Sequence, residues 1–122
     1  MATWDDVAAI ANGLDDVEEG TSYGNRAWKV GGKLFVWERP LRKKELEALG
    51  GFEPDGKAPT GEVLGARVPD EGAKRALVDS EPDIYFTTPH FDGHPSVLIR
   101  LDRIPRADLE EAIAEAWHCR VR

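Results

Sequence analysis

The 122-residue chain has one cysteine, Cys119, and so no internal disulfide framework can hold it together. That usage makes a reducing cytoplasm the simplest setting to expect. No apolar run approaches the roughly 18 residues that a membrane-spanning helix needs, and no basic-then-apolar leader opens the chain. No membrane partner is expected. The sequence also lacks a nucleophile elbow, a Gly-rich phosphate loop and a dinucleotide fingerprint. An enzyme, a cofactor and a bound metal are therefore not expected.

What is present is enough for one core. Hydrophobic residues make up 41 % of the chain, with four Trp, four Phe and two Tyr, and a charged fraction of 32 % supplies a solvated surface. The length suits a single domain spanning residues 1–122.

The net charge of −7 alone argues against nucleic acid, because phosphate contacts need clustered Lys and Arg. Its distribution is uneven. The stretch from Met1 to Tyr23 has six acids and no Lys or Arg, whereas Gly24 to Lys44 has seven basic residues and one acid. A local positive field can persist beside an acidic body, since screening confines charges to roughly 8–10 Å.

Thr3 reads as a helix N-cap with Asp6 completing a capping box, and Val7, Ile10, Ala11 and Leu14 recur at helical spacing. The acids from Asp15 to Glu19 and the turn-rich residues from Gly20 to Asn25 then read as connection. Arg26–Val30 and Lys33–Trp37 flank Gly31-Gly32, a hairpin signal. A two-residue loop would place Lys29 opposite Leu34, Trp28 opposite Phe35 and Arg26 opposite Trp37. Both faces of that hairpin are partly apolar, so the pattern leaves the core face open. Pro40 begins a short helix carrying Leu41, Leu46 and Leu49. Glu62–Val68 reads as a strand. Asp70 caps a helix running to about Asp79, with Ala73, Ala76 and Leu77 inward. Ile84–Thr88 and Pro95–Leu101 flank a turn at Asp92-Gly93, and Pro105 starts a last helix with Leu109, Ala112, Ile113, Ala116 and Trp117 inward. Helices over four or five short strands make a two-layer α+β sandwich with an antiparallel sheet.

Several strings in this order resemble the MmcQ/YjbR family. They are Glu19-Gly-Thr-Ser-Tyr-Gly, Trp28-Lys-Val-Gly-Gly-Lys-Leu-Phe, Tyr85-Phe-Thr-Thr-Pro-His-Phe-Asp-Gly with Val97-Leu-Ile-Arg-Leu, and Ala116-Trp117 in the last helix. Together they cover nearly the whole chain. The resemblance implies a frataxin-like fold with helices on one face of the sheet, a double-wing arrangement and a DNA-binding role. It brings no catalytic residues to carry over.

The basic stretch supplies the candidate nucleic-acid residues: Arg26, Lys29, Lys33, Arg39, Arg42, Lys43 and Lys44. A hairpin wing beside a helix N-terminus suits phosphates, because guanidinium forks and free backbone N–H groups both favour anions. Association with DNA would be weak, salt-sensitive and largely independent of sequence. A rival reading takes Tyr23, Trp28, Trp37 and His90 as the border of an aromatic pocket for a small molecule or a protein partner. His90, Asp92 and His94 have metal-ligand chemistry, but the Asp-Gly turn already accounts for Asp92. Rings on opposite limbs of a hairpin need not converge, so no metal is assigned to them. The lead expectation is a non-enzymatic binding module.

Overall fold

The computed structural model describes residues 2–22, 24–40, 62–88, 91 and 93–121. Its elements are α1 (Trp4–Asn12), β1 (Val17–Ser22), β2 (Asn25–Val30), β3 (Lys33–Glu38), β4 (Val63–Arg67), α2 (Glu71–Ser80), β5 (Tyr85–Phe86), β6 (Ser96–Arg100) and α3 (Arg106–Val121). The short helix expected after Pro40 lies outside the described residues.

Local signals explain the helices. The Thr3 hydroxyl accepts from the Asp6 N–H at 3.2 Å and the Asp6 carboxylate accepts from the Thr3 N–H at 3.0 Å, a complete capping box. Asp70 caps α2 by accepting from the Ala73 N–H at 2.8 Å. In α3, Leu109, Ile113 and Ala116 are buried and recur at helical spacing. One inward assignment fails. Ala76 is exposed, and the buried residue of α2 is Lys74, 3 % exposed.

The strands form a six-stranded sheet in the order β1-β2-β3-β4-β6-β5 with every neighbouring pair antiparallel. Strand β1 replaces part of the connection expected after α1. Asp16 adopts a left-handed conformation (φ 59°) that turns the chain out of α1 and into this strand. An edge strand needs little apolar surface, so Glu18 and Glu19 are tolerated on it and leave no alternating pattern to read.

The turn at Gly31 and Gly32 has positive φ at both residues (57° and 78°), as a tight two-residue hairpin requires. The register starts as expected, with Lys29 opposite Leu34, but shifts beyond it, so that Trp28 pairs with Val36 and Ala27 with Trp37. Phe35 is the extra residue of a β-bulge. The bulge lets both Phe35 and Val36 enter the main core and turns Trp37 to the opposite face.

The sheet is thus apolar on both sides. All three described helices pack on one side, over a core that includes Trp28, Phe35, Leu64, Ile99, Ile104 and Ile113. On the other side Trp37, Val63, Phe86, Phe91 and Leu98 form a second cluster. Two guanidiniums cover its rings, Arg39 at 5.2 Å from the Phe91 centroid and Arg100 at 4.4 Å from that of Phe86.

Candidate functional site

The cations of the first hairpin are divided between the two faces of the sheet, because successive strand side chains alternate. Arg26 is on the helix side. Its guanidinium sits 5.1 Å from the Trp28 ring and pairs with Glu19 at 3.4 Å. Lys29 takes the other face, between Glu18 on β1 and Leu34 on β3. Lys33 is exposed beside the Gly31-Gly32 tip. Arg39 follows β3, covers Phe91 and donates to the Pro40 carbonyl at 2.6 Å. Arg42, Lys43 and Lys44 lie outside the described residues. The described cations therefore do not converge on one patch.

The aromatic pocket does not form as expected either. Trp28 has no exposed surface; it belongs to the main core, stacks on Trp4 with centroids 6.4 Å apart, and donates its indole N–H to Glu19 at 3.2 Å. Trp37 lies on the opposite face of the sheet. The bulge at Phe35 separates the two indoles, so they cannot border one cavity. Tyr23 and His90 lie outside the described residues.

Glu19 is the centre of a polar cluster at the β1–β2 edge. It accepts from Asn12 at 3.0 Å, from Trp28 and from Arg26. The hydrogen bond from Asn12 and the neighbouring Arg26 charge hold its carboxyl below the usual glutamate range, against a smaller opposing effect of burial.

A cleft of about 500 Å³ opens between α2 and α3, above β4, β5 and β6. Ala66, Val68, Leu77, Tyr85, Val97 and Ala112 supply apolar surface. Glu81 at the end of α2 and Asp108, Glu111 and Glu115 along α3 add four carboxylates, against Arg67 and His118 as the basic groups. Tyr85 is 4 % exposed, and burial together with Glu81, Asp108 and Glu111 pushes its phenol up to about 12. No described residue is hydrogen-bonded to that hydroxyl. Sequence reasoning missed this cleft. The available signal was the spacing: Asp108, Glu111 and Glu115 at i, i+3 and i+7 lie along one flank of α3 beside its buried stripe.

Of the metal-like string, His94 is exposed with its ring edge-on to Phe91 at 6.3 Å, while His90 and Asp92 lie outside the described residues. Among the described residues no three His, Cys, Asp or Glu side chains are grouped to hold a metal ion. No described helix is long and apolar enough to cross a membrane.

The family model YjbR matches residues 12–119. Uncharacterized proteins of Mycobacterium tuberculosis and Mycobacterium bovis are 56 % identical over 119 residues, covering 96 % of this chain and 87 % of theirs. The crystal structure of the Deinococcus radiodurans protein DR2400, with its domain DUF419, superposes with a TM-score of 0.68. That match covers 96 % of this chain and 77 % of the other at 18 % identity, a likeness of fold.

Proposed function

The chain belongs to the YjbR family, and we propose that it is a non-enzymatic binding module whose cleft between α2 and α3 takes a small ligand. The observation that carries this reading is the cleft itself, about 500 Å³ of mostly apolar surface with a few polar groups directed around it. Those are the size and composition of a small-molecule site. A thermal-shift screen of metabolites, run on the wild type and on Ala112→Trp, tests it. Ligands that stabilise the wild type should lose their effect when the new indole fills the cleft. If every stabilising ligand acts equally on both proteins, or none acts at all, the reading fails.

A second reading, DNA contact through the β2–β3 hairpin, is favoured by one observation. Lys29 and Lys33 have no ion pair with any described residue, and they flank an exposed Gly-Gly tip. Binding would be weak and would fall steeply with salt, since phosphate contacts displace condensed counterions. Fluorescence polarisation with duplex and single-stranded DNA at two salt concentrations should show it, and Lys29→Glu with Lys33→Glu should abolish it. Absence of binding at low salt, or binding indifferent to the reversal, rules this reading out.

A further inference from the structure

We infer that the ligand of the α2–α3 cleft is a small organic cation, an ammonium group carried on an apolar body. The inference rests on the small-ligand reading above and adds the chemical class.

Charge comes first. Glu81, Asp108, Glu111 and Glu115 surround the cleft, and none of these carboxylates is ion-paired with a described residue. The nearby pair on α3 runs instead between Arg106 and Glu110, on residues that do not line the cleft. Among the described residues Arg67 is the one fixed positive charge in the lining. An anion entering there would meet uncompensated like charge, whereas a cation would find carboxylates already oriented around an apolar surface. A metal ion is a poor alternative, because no three of these acids are grouped as ligands among the described residues.

The second observation is independent of the acids. Tyr85 is 4 % exposed as a residue and lines the cleft, and its hydroxyl has no hydrogen-bond partner among the described residues. The oxygen itself faces the cleft rather than being sealed in the core, so a ligand atom can reach it and take the place of water. Its lone pairs can accept an ammonium N–H alongside a carboxylate. The phenol stays protonated up to about pH 12, so it adds no charge of its own at neutral pH. Leu77, Val97 and Ala112 supply apolar surface for the ligand's hydrocarbon body.

Three probes of one shape separate the possibilities: phenethylammonium, 2-phenylethanol and 3-phenylpropanoate. Each is titrated into isotopically labelled protein while the backbone amide resonances of Ala112, Glu115 and Tyr85 are followed. Phenethylammonium should shift them saturably and bind about tenfold more tightly than the alcohol, as one charge-assisted hydrogen bond provides. Raising the salt concentration should weaken the ammonium and leave the alcohol unchanged, a readout that needs no variant. Glu111→Gln with Glu115→Gln should weaken the ammonium several-fold and spare the alcohol, and Tyr85→Phe should weaken the ammonium further. If the alcohol or the carboxylate binds as tightly as the ammonium, the cation assignment is overturned while the small-ligand reading stands. Silence from all three probes also overturns it. The small-ligand reading is decided separately, by the thermal-shift screen of the wild type against Ala112→Trp.

Discussion

The indole of Trp37 lies against the backbone of Gly65 on the neighbouring strand, so close that a β-carbon at Gly65 would fall 2.3 Å from Trp37 Cε2. Glycine in the middle of a strand is costly unless something occupies the space of its side chain, and here an aromatic ring does. The contact anchors the cluster on the face away from the helices, where Trp37 packs with Val63, Phe86, Phe91 and Leu98.

Gly65→Ala should therefore destabilise the protein by overpacking, by roughly 1–3 kcal/mol in urea unfolding. Combining it with Trp37→Leu should cost less than the two single changes added together, because the smaller side chain leaves room for the new methyl. An unchanged midpoint for Gly65→Ala would show that the ring does not press on this backbone.

Lys74 links α2 to the connection between β5 and β6. Its buried ammonium donates to the Phe91 carbonyl at 2.5 Å, to the His94 carbonyl at 3.1 Å and to Glu71 at 3.3 Å. Lys74→Met keeps the aliphatic stem but removes the donor from two carbonyls of the turn. A loss of about 1–3 kcal/mol is expected, with faster proteolytic cleavage near His94. Equal stability and equal cleavage would mean that water replaces the ammonium at no cost.

Glu19 sets an acid-side pH dependence. Its folded pKa lies below the ordinary glutamate range, so its contribution to stability is present above that range and is lost as pH falls through the lower folded pKa. The wild type should lose more stability than Glu19→Gln as the pH is lowered from about 5 into that window, measured by urea unfolding at each pH. Parallel curves for the two proteins would assign the acid sensitivity to other carboxylates. The Glu19 side chain is 38 % exposed, so solvent screening keeps the effect modest.

The elements legible in the sequence are those stabilised within a few residues of themselves. Thr3 with Asp6, Asp70 with Ala73, and Gly31 with Gly32 satisfy their own backbone groups or dihedral needs, and each appears where expected. The inward stripe of α3 was legible too, because burial on one face repeats at the helical period. Family membership was equally readable, since it is carried by strings of residues along the chain.

The tertiary structure decided what depends on residues distant in the chain. Strand β1 exists because β2 offers its edge, and its own acids and small residues hold no alternating signal. The bulge at Phe35 is a one-residue slip that sends Trp37 across the sheet, and with it went the expected aromatic pocket. The basic stretch met the same limit. It is contiguous in sequence, but strand alternation places Arg26 beside Glu19 and Lys29 on the other face. The cleft needs Glu81 from the end of α2, Tyr85 from β5 and the acidic flank of α3 brought together. Cavities and charge patches are properties of surfaces that meet, and the chain's order alone does not say which surfaces those are.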